Sequence, residues 1–286
     1  MFSKQKDTLL IWLSDLHTGG TTALFPHYNQ LKDGHWKFKH ISYPPSSEQC
    51  RLFDHFDFCA DEIAKQRKNK RIIIVHNGDA IDGRHHDSRQ IITHDKEEQG
   101  AVHVWLMKYF FDKISFNKNK GDLLYYVSGT ETHTTDYEYG IAQDLGAEQT
   151  PAGKDVFEFL PLEIAGKLIY AAHEGTSSGE GYTEGDAFRN SLKRLYWQCL
   201  SDKVRFPDLV VISHVHRPLY TSYVHNYHTI HGMITPSWQI KTRFGNQIAP
   251  FQQNKIGMST VDITTDGIIR VNKPILMSFS DEVVVV

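Results

Sequence analysis

The chain is poor in cysteine, with three in 286 residues. Cys50, Cys59 and Cys199 are too few and too scattered for a disulfide framework or a thiolate zinc cluster. Cys59 and Cys199 fall on apolar faces of predicted helices, so we expect both in the core. This cysteine usage favours a reducing compartment.

Long hydrophobic runs are absent as well. No stretch approaches the ~18 apolar residues that a membrane-spanning helix requires. The first residues, MFSKQKDTLLIWLSD, have a basic flank, but the apolar run is short and lacks a small-residue cleavage site. This segment therefore resembles a first strand more than a signal peptide. Together these absences predict a cytoplasmic protein.

The chain also lacks an excess of either charge. Its formal net charge is -3, from 31 basic and 34 acidic residues. Generic, charge-driven binding to nucleic acid is therefore disfavoured, although a local basic groove stays open. The apolar fraction of 40% and the charged fraction of 23% are those of a soluble globular protein. At this length we expect one domain over residues 1–286.

Short apolar runs alternate with stretches of helical period. The runs expected to be buried strands are residues 8–13, 71–76, 122–127, 167–172 and 208–213. After the last of these, the apolar segments indicate an antiparallel meander. Strands alternating with helices, then strands alone, predict an α/β sandwich of two mixed sheets with helices outside. A long insert at about residues 18–47 has no clear period, and loops of that length are usually functional or poorly ordered.

Histidine is the over-represented residue, at 17, and several histidines and aspartates follow predicted strands. Asp15 and His17 are two apart, so in extended backbone both side chains face one metal. Asp79 follows Gly78 at the end of the second run, and a carboxylate there can bridge two cations. Asp82 is either a partner that orients a histidine or part of an ordinary turn.

Histidines also end two later runs. His173 follows residues 167–172, and His214 and His216 follow residues 208–213, again two apart. One such pair alone is better explained as satisfied polar histidines at a sheet edge. Four clusters at four strand ends instead predict a two-metal hydrolytic site, because ligands collect beyond the carboxyl ends of strands in α/β sheets.

The motifs D-x-H, G-D-x-x-D, a glycine-led histidine motif, a lone histidine and x-H-x-H follow one another between residues 15 and 216. In this order they resemble the calcineurin-like metallophosphoesterase superfamily. The resemblance implies a four-layer αββα sandwich with two metals, manganese first, with Fe, Zn or Ni as alternatives, since a mixed N/O shell suits them better than Ca. It implies Asp15, His17, Asp79 and His216 at the first metal, and Asp79, His173 and His214 at the second.

The third motif departs from the family pattern G-N-H-[DE]. This chain has GTETH at residues 129–133, so Thr130 stands where the family has its asparagine ligand and Glu131 where it has histidine. His133 is displaced by two positions. Phage-type members have a similar G-T-x-x-H variant. The second metal is therefore expected to bind Thr130 or Glu131, and the sequence leaves the choice open.

A second departure follows Asp82. Phosphoprotein phosphatases of the superfamily have G-D-x-V-D-R-G, whereas here Gly83 takes the arginine position and Arg84 comes one residue later. Assignment as a phosphoprotein phosphatase is therefore not supported.

The resemblance implies hydrolysis of a phosphomonoester or phosphodiester, such as a nucleotide, by a metal-bridging hydroxide. His133 would protonate the leaving oxygen, with Asp82 fixing its orientation. Arg84 and His85 are candidate phosphate contacts. The alternatives are a nuclease of the same superfamily and a non-catalytic, metal-stabilised binding protein, which only the GTETH variant favours.

Overall fold

The computed structural model describes residues 6–27, 43–84, 89–133, 136–177, 183–248 and 255–279. The strands of the described chain are β1 (Thr8–Leu13), β2 (Arg71–Asn77), β3 (Leu123–Val127), β4 (Leu160–Ile164), β5 (Lys167–Ala171), β6 (Leu209–Ile212), β7 (Leu219–His225), β8 (His228–Ile234), β9 (Lys255–Ile263), β10 (Ile269–Val271) and β11 (Ile275–Ser278). The helices are α1 (Ser47–Arg67), α2 (Lys96–Lys113), α3 (Tyr137–Asp144), α4 (Asp186–Asp202) and α5 (Arg243–Ile248), with a short 3₁₀ helix at Lys118–Lys120.

The strands form two mixed sheets. The first has the order β10-β9-β1-β2-β3, with β11 also paired to β9. The second has the order β4-β5-β6-β8-β7. In the first sheet β1, β2 and β3 are parallel, and in the second β5, β6 and β8 are parallel. Each sheet therefore brings the carboxyl ends of several strands to one edge.

Alternation along β1 explains how the layers stack. Leu9 and Ile11 belong to the core beneath α1 and α2, whereas Leu10 and Trp12 lie in the core between the sheets. On the outer face of the second sheet, Phe188 of α4 packs in a separate cluster. The layer order is helix, sheet, sheet, helix, which confirms the predicted α/β sandwich. Both cysteines expected in the core are buried.

The predicted carboxy-terminal meander is wrong. β8 does pair with β7 in antiparallel fashion, but it also lies parallel to β6. The chain then crosses to the other sheet, where β9 pairs antiparallel with β1. Seven of the nine residues of β9 are buried, a pattern that suits a central strand covered on both faces. Apolar runs of this kind do not indicate which sheet will bury them.

Backbone hydrogen bonds continue beyond the ends of β1 and β2 and hold the following segments together. The amide of Asp15 donates to the carbonyl of Gly78 at 3.0 Å, and that of His17 donates to Asp79 at 3.1 Å. The polar residues after these two strands therefore leave the sheet side by side. Residues 28–42 of the predicted insert, and the tail from residue 280, lie outside the described residues.

Buried polar side chains tie the two sheets together below this edge. Ser14, after β1, hydrogen-bonds Thr235 at 2.6 Å, and Thr235 hydrogen-bonds Ser213 at 2.7 Å. Asn77 at the end of β2 donates to the same Ser213 hydroxyl at 2.6 Å. The strand ends of both sheets therefore share one rigid base. Within the described chain, none of the helices has the length and apolarity needed to cross a membrane.

Candidate metal centre

Potential ligands from both sheets converge in three overlapping clusters, two of which contain Asp79. The ligand-type atoms in each of three sets lie within 4.8 Å of one another: Asp15, His17 and His216; His17, Asp79 and His133; and Asp79, His173 and His214. The structure therefore brings together the six metal ligands that the family resemblance implies, and His133 with them. The six are Asp15, His17, Asp79, His173, His214 and His216.

The first cluster forms around Asp15. Nε2 of His216 lies 3.1 Å from Oδ1 of Asp15 and 3.3 Å from Nε2 of His17. The same His17 nitrogen lies 3.7 Å from Oδ2 of Asp79. Atoms separated by these distances are close enough for one cation to bind them together.

The second cluster lies on the other side of Asp79. Nε2 of His173 is 3.1 Å from Oδ2 of Asp79. The hydroxyl of Thr130 is 3.2 Å from that oxygen and 3.3 Å from Nδ1 of His214. Glu131, by contrast, is exposed. The hydroxyl of Thr130 therefore lies next to the second set of potential donors.

The backbone of this site is held in an unusual conformation. Positive φ angles, rare for residues other than glycine, occur at Asp15 (52°), His17 (45°), Asp79 (53°), His214 (69°) and His216 (52°). Each costs of order 1–2 kcal/mol and persists only where the surrounding fold imposes it. Such strain concentrates at functional sites, and here it turns each side chain out of its strand toward the common centre.

Two glycines allow the segments to approach so closely. A Cβ atom on Gly78 would lie 2.3 Å from Nδ1 of His173, and one on Gly129 would lie 2.2 Å from the backbone nitrogen of Asp79. No side chain fits at either position. The glycines of the second and third motifs are therefore required by contact between neighbouring ligand segments.

Backbone carbonyls fix the tautomers of two histidines. Nδ1 of His173 lies 2.7 Å from the carbonyl of Asn77, and Nδ1 of His133 lies 2.8 Å from the carbonyl of Asp82. A carbonyl only accepts, so Nδ1 carries the proton and, in the neutral ring, Nε2 carries the lone pair. Nε2 of His173 is buried and forms no well-aligned hydrogen bond with the described residues.

The carboxylate of Asp82 faces a different histidine from the one expected. Its Oδ1 lies 3.5 Å from Nδ1 of His17 and accepts a hydrogen bond from Nε2 of Gln239 at 3.2 Å. His133 is oriented by the backbone carbonyl of the same residue, which lies 2.8 Å from its Nδ1. Asp82 thus orients His17 by its side chain and His133 by its main chain.

The electrostatics show how strongly the cluster attracts positive charge. Burial opposes ionisation of Asp15, but His216 and His173 outweigh it and hold the pKa of Asp15 at about 2. Burial likewise opposes ionisation of Asp79, yet the neighbouring histidines hold its pKa well below the usual range. Burial lowers the pKa of His173, but the charges of Asp15 and Asp79 raise it to about 10.

These residues fit a pair of divalent cations. Without a cation the buried carboxylates keep protons on the imidazoles, and a bound metal supplies the same compensation through the lone pairs. The donors are imidazole nitrogens, carboxylates and a hydroxyl, a mixed set suited to Mn, Fe, Zn or Ni. The buried Nε2 of His173 has the position and the lone pair of such a ligand.

Glu138 is a buried acidic residue at the site that the sequence interpretation missed. It lies on α3, and its two carboxylate oxygens accept hydrogen bonds from the amides of Ala80 and Gly129. Burial raises the pKa of Glu138 to about 7, and the charge of Asp79 adds to this. The spacing of Glu138, Ile141, Ala142 and Leu145 is that of one helical face, a signal that a buried acid begins this helix.

The predicted substrate contacts are only partly described. Arg84 is exposed at the end of a described segment, and His85 lies outside the described residues. Gly83 has a φ of 69°, and a Cβ atom there would lie 2.1 Å from the carbonyl oxygen of His133. The space beside residue 83 is therefore filled by the backbone of His133.

Neither a protein-family model nor a curated protein matches the chain. Similar solved structures include a conserved protein of Streptococcus pneumoniae described as a predicted phosphoesterase, at 11% identity and a TM-score of 0.32, covering 96% of this chain and 100% of that one. The sulfate thiohydrolase SoxB of Thermus thermophilus, solved with glycerol, is 13% identical with a TM-score of 0.37, and 97% of this chain spans 59% of it. A Thermotoga maritima protein is 14% identical with a TM-score of 0.33, covering 95% and 99%. Similarity this low transfers no activity.

The contact between Gly83 and His133 predicts a large effect of Gly83→Ala on stability. The matched control is Gly153→Ala, because Gly153 has a similar φ of 76° but no described atom within 4 Å of the position that a Cβ would take. We expect Gly153→Ala to cost about 1 kcal/mol from backbone strain alone. Gly83→Ala should cost about 1–3 kcal/mol more, because the segment carrying His133 must move.

Urea unfolding of both variants and the wild type measures the difference. Equal losses of unfolding free energy in the two variants would show that the space at residue 83 is not restricted by His133.

Proposed function

We propose that this chain is a metal-dependent phosphoesterase of the calcineurin-like superfamily, with a dinuclear centre. The observation that carries the proposal is the pair of donor clusters sharing the Asp79 carboxylate, built from both sheets. The order of the motifs along the chain supports the superfamily, and the buried donors of mixed type support two divalent cations. The proposed ligands are Asp15, His17, Asp79 and His216 for one metal, and Asp79, Thr130, His173 and His214 for the other.

Two bound cations would lower the pKa of a water toward neutrality and offset charge on the phosphoryl oxygens. The protein residues prepare this chemistry. Asp79, whose Oδ1 is oriented by the amide of Thr130 at 2.7 Å, presents Oδ2 to His17 of one cluster and His173 of the other. The carbonyl of Asn77 keeps Nδ1 of His173 protonated, so that Nε2 faces the metal position. No covalent intermediate with the protein is required.

His133 is the proposed proton donor to the leaving oxygen. Its ring lies edge-on to that of His17, with 4.7 Å between ring centroids, and it is half-buried at the first cluster. Nδ1 is held by the carbonyl of Asp82, so the proton to be transferred is the one on Nε2. The proposed role of Asp82 is therefore to orient His133 through its backbone and His17 through its side chain.

The substrate proposed is a small phosphomonoester or phosphodiester of nucleotide type. A nuclease is the competing enzyme, and a metal-stabilised protein without turnover is the competing class. The single-domain organisation, the cytoplasmic location and the preference for manganese stay predictions.

Metal removal is expected to abolish phosphoesterase activity, and Mn²⁺ is expected to restore it. The purified protein is stripped with a chelator, reconstituted, and assayed on a chromogenic phosphomonoester, a chromogenic phosphodiester and single-stranded DNA. Turnover of the small esters supports the proposal, and cleavage of DNA alone supports the nuclease. If the protein binds two metals but turns over none of the three substrates, the assignment as an enzyme is wrong.

Asp79→Asn, assayed in the same way, tests whether Asp79 bridges the two metals. An amide cannot bridge two cations as a carboxylate does, so we expect activity to fall by at least about 10³-fold and the metal content to fall below that of the wild type. Wild-type rates in this variant would remove Asp79 from the bridging position.

Replacement of His133 tests its role as a proton donor. His133→Ala should hydrolyse a nitrophenyl ester at a near wild-type rate, because nitrophenolate leaves without protonation, but should be about 10²–10⁴-fold slower on an alkyl ester. Both substrates are compared at saturating Mn²⁺. Equal losses on the two esters would contradict the proton-donor role and indicate a metal or phosphate contact instead.

A further inference from the structure

Beyond the proposed ligands, we propose that Glu138 is a positioning residue that sets the distance between the two segments on either side of Asp79. The proposal rests on the proposed metal centre. Glu138 lies on α3, outside all five sequence motifs, and is 1% exposed. It belongs to none of the three clusters of potential ligands, and both of its oxygens accept from backbone amides.

The two bonds come from two different ligand segments. Oε1 of Glu138 accepts from the amide of Ala80 at 3.1 Å, directly after Asp79. Oε2 accepts from the amide of Gly129 at 2.7 Å, directly before Thr130. One carboxylate therefore clamps the segment after β2 to the segment after β3.

The peptide group between Asp79 and Ala80 is held from its other side as well. Its carbonyl, that of Asp79, accepts from the amide of His17 at 3.1 Å, so the Glu138 bond to the Ala80 amide fixes the opposite edge of the same peptide. The next carbonyl, that of Ala80, accepts from the hydroxyl of Thr18 at 3.0 Å and lies 3.0 Å from Nδ1 of His103. Both peptide groups that follow Asp79 are therefore held by buried polar partners.

The two hydrogen bonds of Glu138 act on residues that contact the candidate metal centre, so a small shift of either segment changes the positions of the ligands. Gly129 touches the backbone of Asp79 closely, and the amide of Thr130 donates to Oδ1 of Asp79 at 2.7 Å. Loss of the Gly129 bond would let Thr130 move away from Asp79 and His214. The consequence expected is weaker binding of the second metal, the one proposed to use Thr130.

Only a carboxylate satisfies this geometry. Both partners are N–H donors, so both side-chain atoms must accept, whereas glutamine offers one acceptor and places its amide donor against the other N–H. Glu138→Gln preserves size and burial while removing one of the two bonds. It therefore separates positioning from packing.

Asp122 provides a matched control at the opposite end of the same sheet. It is 1% exposed and accepts from the amides of Ile72 and Asn117, both at 2.8 Å. It also pairs with Arg67 at 2.7 Å, so Asp122→Asn should lower stability. These partners all lie outside the candidate metal centre.

The experiment is calorimetric titration of the metal-free wild type, Glu138→Gln and Asp122→Asn with Mn²⁺, together with thermal unfolding of each. In Glu138→Gln we expect the second Mn²⁺ site, the one proposed to use Thr130, to lose about 10–100-fold in affinity. In Asp122→Asn we expect a lower unfolding temperature and unchanged Mn²⁺ affinity.

The outcomes separate this inference from the function on which it rests. Failure of the wild type to bind Mn²⁺ would overturn the proposed function and the inference with it. Two-metal binding in the wild type with equal affinities in Glu138→Gln overturns the positioning role alone. Equal losses in Glu138→Gln and Asp122→Asn would also overturn it, since they would indicate general destabilisation.

Glu138→Asp keeps the test decisive if the glutamine variant does not fold. Aspartate keeps two acceptor oxygens but is shorter by one methylene, so it cannot reach both amides at their present separation. We expect Mn²⁺ affinity between that of the wild type and the values predicted for glutamine. Wild-type affinity for the second metal in Glu138→Asp would overturn the proposal.

Discussion

The fixed position of the Asp79 carboxylate is the constraint on which the candidate site depends. It stands between the two donor clusters, and its backbone adopts a φ of 53° between segments that leave no room for side chains at Gly78 and Gly129. The buried carboxylates of Asp79 and Asp15 repel each other, so the pair is stable only with compensating positive charge. Without a cation the neighbouring imidazoles supply it, because the carboxylates raise the pKa values of His173 and His17 against the opposing effect of burial.

The sandwich supplies the rigidity that this arrangement needs. Asp15 and Asp79 follow parallel strands of one sheet, while His173 and His214 follow parallel strands of the other. The hydroxyl and amide network through Ser213 joins the two sets of strand ends below the site. Ligands from two sheets can therefore be held to a common centre, although the chain segments that carry them are distant in sequence.

Much of this arrangement is predictable from local patterns. Apolar runs identify the strands that carry Asp15, Asp79, His173 and His214, and the rule that polar sites form beyond carboxyl strand ends brings them together. The pairing of β8 with β6 and the crossover to β9 are not predictable in this way, because both depend on which surfaces remain to be buried. The role of Glu138 is not predictable for a related reason. Its partners are backbone amides, which every residue except proline has, so they produce no recognisable sequence motif.

The two segments that depart from the expected motif pattern, residue 83 and residues 129–133, are in contact with each other. The backbone of His133 occupies the space next to residue 83. Any side chain at that position would need a Cβ atom 2.1 Å from the carbonyl oxygen of His133, so glycine is the residue that His133 permits. In the same contact, the carbonyl of Asp82 binds Nδ1 of His133, and the ring of His133 lies edge-on to that of His17. The main chain that holds His133 beside the first cluster therefore leaves no room for a side chain at residue 83.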